Sequence, residues 1–414
     1  MSTPTTTRER QEHLQTRLLL ALALLSATAP ISCDLYLASF PEIGRGLHTS
    51  ASSVQLTLTA FLVGLALGQV AWGPVTDRYG RRTPLLVGSV VAALAAVGTV
   101  VAPTVGILIA CRLVQALFAA GSMVIARAVL ADLTRGYAGV HAFSLMTTIQ
   151  GVAPVAAPIV GGILAGRVPW RGVLGVVLAV MVLQLLAAVT TVPETLPREQ
   201  RSPRMSYADI GRVLRRPAFL AYVGTQAFTF GVLMGFVSSS SFLYQTVIGT
   251  SGLVYGIGFA INASAMLVTG VISARLARRK VHPGATVSRA LPVLVIASVM
   301  VLVVALLPVT PWLIPVPVLV AFGAIGLITG NSAALAVAQA RPIVGAGSAT
   351  MGGLMFLVGG LVSPLGGIAG AGTAVPLGIV MTCSATLALI SFTYARRHVA
   401  RHPHLEAELA TTGS

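Results

Sequence analysis

Two ionisable side chains, Asp34 and Arg112, stand within long uncharged stretches of the sequence. Asp34 lies about six residues from the end of the first stretch and Arg112 about seven from the start of the fourth, which places both ~10 Å below the same membrane surface. Such charges are costly unless they pair or face an aqueous cavity, and they commonly serve transport. The two residues therefore predict a proton-coupling site with Asp34 as the proton carrier. A permanent ion pair that only joins two helices is the alternative.

The composition is that of a membrane protein. Of the 414 residues, 55% are hydrophobic and 9% are charged, and the mean hydropathy is +0.88, whereas soluble domains are roughly 25% charged. The net charge of +16 does not indicate nucleic-acid binding, because the basic residues are scattered between apolar stretches. The three cysteines form no Cys-x-x-Cys pair, and no catalytic or phosphate-binding motif is present. We therefore predict neither an enzyme nor a metal or cofactor site.

The uncharged stretches predict twelve membrane-spanning helices, because each span requires ~20 apolar residues. Those of the first half are expected at about 18–40, 52–74, 83–103, 105–131, 141–166 and 172–192, and two more fall within each of 217–274, 290–340 and 342–395. The predicted fold class is an all-α polytopic membrane protein with two six-helix lobes, 18–192 and 217–395. Tails at 1–17 and 396–414 flank the lobes, and a linker joins them at 193–216, where Tyr207 to Leu214 predict a short surface helix.

The basic residues predict the orientation of the chain. Most of them fall in the tails, the linker and the loops on one side, which the positive-inside rule assigns to the cytoplasm together with both termini. The basic, then apolar, amino-terminal segment is also compatible with a cleavable signal peptide. The many spans behind it favour an uncleaved first helix.

A charged loop between the second and third spans carries a specific pattern. Its residues Gly73, Asp77, Arg78, Gly80, Arg81 and Arg82 match Gly-x-x-x-Asp-Arg-x-Gly-Arg-Arg, so the loop resembles the cytoplasmic signature of the major facilitator superfamily. The resemblance implies that Asp77 receives a helix N-terminus from the other lobe. Arg127 and Asp132 lie near the same face, and we expect them to join Asp77 in a charge network that closes the inner gate. Simple snorkelling of helix-end charges is the alternative.

The fifth span carries Pro154, Pro158, Gly161 and Gly162, and it resembles the antiporter signature of drug-efflux members, although alanines replace two of the usual glycines. A bent helix with small residues lets neighbouring helices approach closely. The end of the first span, Asp34-Leu35-Tyr36-Leu37 followed by Pro41, looks like the bicyclomycin-resistance (Bcr/CflA) branch of 12-span drug:proton antiporters.

Polar, aromatic and Met residues at mid-span depth are candidates for a substrate cavity, because soft walls suit varied hydrophobic ligands. They are Tyr36, Gln115, Met123, Met146, Gln150, Gln226, Phe230, Met234, Phe236, Asn262 and Asn331. The resemblance implies a proton-coupled antiporter that exports small hydrophobic antibiotics across a bacterial cell membrane, with lipid and protons as its other partners. We expect a monomer. A metabolite exporter or symporter of the same fold, and a membrane sensor, are the alternatives.

Overall fold

The computed structural model describes residues 5–134, 136–201, 208–341 and 343–401, and the side chains of 5–15, 136–145, 147 and 148 lie outside this description. Parts of both predicted tails, residues 202–207 of the predicted linker and Tyr207 of the predicted surface helix therefore lie outside the described residues. The rest of that helix is present as Ala208–Leu214.

Twelve long helices follow one another along the chain, and the described residues contain no β-strand. They are α1 (Thr5–Asp34), α2 (Ala51–Tyr79), α3 (Arg82–Val101), α4 (Val105–Leu133), α5 (Gly136–Leu164), α6 (Trp170–Thr191), α7 (Pro217–Phe242), α8 (Gly252–Arg278), α9 (Pro283–Leu306), α10 (Pro315–Ala338), α11 (Val344–Val362) and α12 (Val375–Arg401). Within the described ranges, 11 helices are long and apolar enough to cross a membrane, and α5 contributes a shorter apolar portion, Ile149–Leu164. The predicted all-helical polytopic class is confirmed.

The first span is longer than the sequence predicted. After α1, a 3₁₀ turn at Leu37–Ser39 leads into a short helix, Phe40–Gly46, so that the apolar span runs from Thr16 to Gly46. The sequence predicts an end of the span at Pro41, but in the structure this proline lies in the first turn of the short helix, a position that readily accepts proline. Asp34 therefore lies deeper in the membrane than the predicted ~10 Å below its surface.

The helices pack in two groups. Helices α1–α6 contact mainly one another, as do α7–α12, and the two groups meet chiefly where α2 packs on α11 and α5 packs on α8. The loops α2–α3 and α8–α9, the linker and the end of α12 all lie at one end of the bundle, because consecutive helices run antiparallel. We call this end the linker face and the opposite end the far face.

Candidate substrate cavity and charge sites

A cavity of about 250 Å³ lies between the two groups of helices. Four helices of the first half and four of the second contribute to its wall, which is made mainly of apolar, aromatic and Met side chains. The lining residues include Leu65, Met123, Phe230, Met234, Phe322 and Met355. Among the described residues that line it, Asp34 supplies the one carboxyl group. The cavity therefore offers a soft apolar surface with a single strong polar anchor.

Asp34 reaches this cavity because it is the last residue of α1. The helix stops there, and Leu35 and Tyr36 form a turn before the chain continues toward Gly46. The Asp34 residue is buried, with 7% of its surface exposed. The break in the helix thus presents the carboxyl to the cavity beside a free helix end.

Arg112 is fully buried but does not form an ion pair with Asp34 in the structure. Its guanidinium donates to the Ser32 carbonyl oxygen at 2.9 Å and to Gln115 Oε1 at 3.0 Å. It also lies over the Tyr36 ring, 3.7 Å from the centroid. The last carbonyl groups of a helix lack partners within the helix and carry partial negative charge. Arg112 therefore satisfies the broken end of α1, a contact that residue spacing did not predict.

The predicted cavity residues divide between the wall and the layer behind it. Met123, Phe230 and Met234 line the cavity. Those that do not line it are Tyr36, Gln115, Met146, Gln150, Gln226, Phe236, Asn262 and Asn331. Wall residues that the sequence analysis missed include Met266, Phe322, Met355 and Phe356. The position of a residue along its helix predicted correctly how deep the cavity lies in the membrane. It did not predict which side of each helix faces the cavity.

Several residues behind the wall have partners that explain their burial. Tyr36 Oη shares a hydrogen bond of 3.0 Å with Thr57, and the Gln115 amide contacts the Met181 sulfur at 3.2 Å. Asn331 donates to Ser273 at 2.6 Å and to its own helix. The Asn262 amide nitrogen, also buried, has no hydrogen-bond partner in the described part of the protein.

The proline and glycine residues of α5 lie where three helices approach most closely. A Cβ atom at Gly161 would collide with the carbonyl oxygen of Leu35, in the turn after α1, and one at Gly162 would collide with the Gly252 carbonyl oxygen of α8. Pro158 presents its own carbonyl oxygen to α8, and Pro154 lines the cavity. The structure thus places the four predicted residues on a tightly packed helix between the two halves.

The charged loop at the linker face is organised around Arg81. This guanidinium pairs with Asp77 at 2.7 Å and with Asp132 at 3.2 Å, so one arginine joins the ends of α2 and α4. Arg127, which was predicted to take part, instead lines a cavity of about 380 Å³ together with Asp77 and the first turn of α11. Asp77 therefore faces the other half across this cavity, while its ion pair lies within its own half.

Glu194, in the linker, completes this loop and was missed by the sequence analysis. Its carboxylate accepts the backbone N–H groups of Arg81 at 2.8 Å and Arg82 at 3.3 Å, and it pairs with Arg201 at 3.3 Å. Gly80 permits this approach, because its φ of +88° lies in the left-handed region and a Cβ there would strike the Glu194 carboxylate.

The surroundings of Glu194 also set its protonation. Burial raises the pKa of Glu194, but the backbone N–H groups of Arg81, Leu196 and Arg82 and the charge of Arg201 outweigh it, so the pKa lies below its ordinary value. The carboxylate form is the one that the N-terminus of α3 stabilises.

The two halves are joined differently at the two faces. Gln55 donates to the Ser238 carbonyl oxygen at 3.1 Å, and Gln245 donates to that of Ala38 at 2.8 Å. Ser52 adds a contact of 3.4 Å to the Pro364 carbonyl oxygen. In the part of the chain that the structure describes, these bonds between the halves all lie at the far face, whereas the linker face has the cavity beside Arg127.

This arrangement of helices and signature loop has a known counterpart. The model of the family described as Major Facilitator Superfamily matches residues 22–371. The chain belongs to the Major Facilitator Superfamily.

Relatives within the superfamily cover nearly the whole chain. The chain is 34% identical over 376 residues to the Uncharacterized MFS-type transporter YdgK of Bacillus subtilis, covering 90% of this chain and 93% of the relative. It is 29% identical over 377 residues to a Bicyclomycin resistance protein homolog of Haemophilus influenzae, covering 90% and 94%. It is 28% identical over 258 residues to a Chloramphenicol resistance protein of Pseudomonas aeruginosa, covering 62% and 61%. The resemblance stated from the motifs is confirmed.

Solved structures show the same superfamily fold. A bacterial homolog of the human lysosomal transporter Spinster, in an inward-facing and unoccupied conformation, matches with a TM-score of 0.67 at 18% identity, covering 100% of this chain and 99% of that one. A D-xylose-proton symporter matches with a TM-score of 0.67 at 15% identity, covering 91% and 97%. The chain is therefore a transporter of the Major Facilitator Superfamily and a multi-pass protein of the cell membrane.

Proposed function

We propose that this transporter exports small hydrophobic drug-like molecules in exchange for protons, with Asp34 as the proton carrier. The observation that carries the proposal is the cavity between the two halves, in which one carboxyl stands in a wall of aromatic, aliphatic and Met side chains. Such a wall accepts varied hydrophobic ligands, because it repacks around them. The drug-resistance names of two relatives support the same substrate class.

Proton coupling follows from the position of the carboxyl. An ionised carboxylate in apolar surroundings costs several kcal/mol unless something satisfies it. In the cavity, either a proton or a ligand with a donor group supplies that satisfaction, so the two compete for Asp34. Arg112 does not form an ion pair with this carboxyl, and its contacts at the end of α1 hold the turn that presents Asp34.

Alternating access would expose the cavity to one face at a time. The hydrogen bonds of Gln55 and Gln245 hold the halves together at the far face, and the cavity beside Arg127 separates them at the linker face. With the linker face in the cytoplasm, as the basic residues indicate, this arrangement belongs to the drug-loading half of the cycle. Both termini then lie in the cytoplasm.

The test is drug transport by the purified protein in vesicles with an imposed pH gradient. We expect chloramphenicol or bicyclomycin uptake into inverted vesicles to follow the gradient and Asp34→Asn to abolish that dependence. Glu42→Gln is the matched control, because Glu42 is a carboxylate of the same half that binds the Trp170 backbone N–H at 3.2 Å, away from the cavity. Equal drug uptake with and without the gradient would refute proton coupling. Failure to transport any drug of a broad panel would favour a metabolite substrate.

A further inference from the structure

The second half of the chain contains no internal counter-charge for its basic residues. From residue 210 to residue 405 the sequence has no Asp or Glu. The last turn of α8 and the two residues after it nevertheless carry four cations within six residues, which we call the α8–α9 cations: Arg275, Arg278, Arg279 and Lys280. None of these side chains has a hydrogen bond or ion pair with any described residue. Within the part of the chain that the structure describes, no acidic side chain therefore balances their charge.

A fifth cation, Arg289, lies inside the membrane-spanning part of α9. It is six residues from the helix start at Pro283, or about 9 Å along the helix axis. The positive-inside rule accounts for basic residues in loops, but it does not account for an arginine at this depth. Arg289 also has no ion pair among the described residues. Its guanidinium would therefore favour an anionic group at the boundary between headgroups and acyl chains.

A groove beside Arg289 offers room for the rest of such a ligand. Helices α8 and α9 both pack on α10 but have little direct contact with each other. The space between them is a cavity of about 370 Å³, lined by Arg289, Thr286 and apolar residues that include Leu276, Val293 and Val320. Val293 and Val320 are 43% and 47% exposed, so the groove opens on the outer, lipid-facing surface of the bundle.

We infer that this groove binds an anionic phospholipid, with its phosphate on Arg289 and the α8–α9 cations and one acyl chain along α10. Basic sites between helices on the cytoplasmic side of membrane proteins bind acidic headgroups, at roughly 1 kcal/mol per cation. The apolar wall below Arg289 distinguishes a lipid from free phosphate, because phosphate alone would leave that wall empty. This inference does not rest on the proposed drug or proton specificity.

The test is competition between phosphatidylglycerol and phosphatidylcholine of identical chains on the full-length, delipidated protein, followed by native mass spectrometry. We expect the wild type to retain phosphatidylglycerol in preference and Arg289→Gln to reduce this preference roughly fivefold, the equivalent of the loss of one cation. Arg397→Gln is the matched control, because Arg397 is an exposed arginine of α12 at the same face and lies outside the groove. An unchanged preference in Arg289→Gln, or an equal loss in the control, would overturn the inference.

A second variant tests the groove separately from the charge. Val320→Trp places a large ring at an exposed position of the groove while every cation stays in place. We expect weaker retention of phosphatidylglycerol than in the wild type. Retention at the wild-type level, or equal competition by glycerophosphoglycerol without acyl chains, would show that no chain occupies the groove and would refute a lipid site. Thermal unfolding in detergent checks that each variant is folded.

Discussion

The two loops at the linker face have arginines at the same spacing, but only the first has acidic partners among the described residues. At the end of α2, Arg78, Arg81 and Arg82 have the spacing that Arg275, Arg278 and Arg279 have at the end of α8. In the first loop, acids of α2 and α4 pair with the Arg81 guanidinium, and the linker carboxylate of Glu194 accepts backbone N–H groups. In the second, Ala274 and Ala277 stand where Asp77 and Gly80 stand in the first, and the sequence from 210 to 405 contains no acid. The first loop therefore has ion pairs within the protein, whereas the arginines of the second have none with the described residues and can bind anionic lipid, as we propose.

The backbone conformation of the two loops also differs. Gly80 ends α2 with a positive φ, which turns the chain toward Glu194. Ala277 lets α8 continue to Arg278, and the turn comes later, at Lys280 with a φ of +59°. Glycine at position 80 thus allows a tight, capped loop, whereas alanine at position 277 accompanies a longer helix with exposed cations at its end.

The largest expected effect comes from removing the membrane carboxyl, which only the first half possesses. Asp34→Asn should abolish drug-driven proton movement in vesicles, because an amide cannot release a proton. Gln226→Leu, which changes a buried polar residue of the second half, should leave proton movement coupled to drug. Measurement of internal pH on drug addition checks both. Coupled proton movement in Asp34→Asn would place the carrier elsewhere.

The next effect concerns the two loops directly. Arg81→Gln removes the cation shared by Asp77 and Asp132, and we expect it to destabilise the protein by about 2 kcal/mol, or a few degrees in Tm. Arg278→Gln, at the corresponding position of α8, should leave Tm unchanged, because its side chain has no protein partner among the described residues. Thermal unfolding in detergent compares the two. A similar loss in both variants would contradict the difference between the loops.

An acid introduced into the second loop should make it resemble the first. Ala274→Asp places a carboxylate four residues before Arg278, as Asp77 precedes Arg81, at an exposed position. The new pair should weaken the preference for phosphatidylglycerol roughly fivefold, because it neutralises about one cation. Ala274→Asn is the uncharged control in the same lipid competition. Equal preference in the two variants would count against the lipid site.

The smallest effect should come from the linker carboxylate. Glu194→Gln removes the charge that caps α3 and should cost about 1 kcal/mol at neutral pH. Because the pKa of Glu194 is lowered in the folded protein, its stabilisation is present above the ordinary value of ~4.3 and is lost as the pH falls through the folded value. The difference in Tm between wild type and Glu194→Gln should therefore shrink toward zero at low pH. A difference that persists once Glu194 is protonated in the folded protein would indicate a packing effect instead.

The sequence was most informative about long-range architecture and least informative about partners. Uncharged runs predict helices well, because every polar group in a membrane span must be satisfied. They could not show that Pro41 begins a new helix, and so they placed Asp34 too near the surface. Nor could they show that a free helix end, and not Asp34, receives Arg112.

The cavity was predictable in its chemistry but not in its exact membership. Met123, Phe230 and Met234 line it as predicted. Other mid-depth residues, such as Asn331 and Phe236, point elsewhere, because helices that are apolar all round carry no periodic signal of their inner side. Glu194 could not be predicted for another reason: its contacts with the charged loop are to the backbone N–H groups of Arg81 and Arg82, which no pattern of side chains reveals.

The closure at the far face has a consequence for the cost of each transport cycle. Besides the close packing of α5 on α8, the described residues contribute four side-chain hydrogen bonds to it, one from Ser52, one from Gln245 and two from Gln55. At roughly 0.5–1.5 kcal/mol each, these hydrogen bonds together stabilise the closed far face by a few kcal/mol. This free energy is comparable with the ~2.3 kcal/mol that one charge gains across 100 mV. Three of the four acceptors are main-chain carbonyl groups, which no substitution removes. The movement of one or two charges across the membrane can thus offset these hydrogen bonds, and the same bonds can form again in every transport cycle.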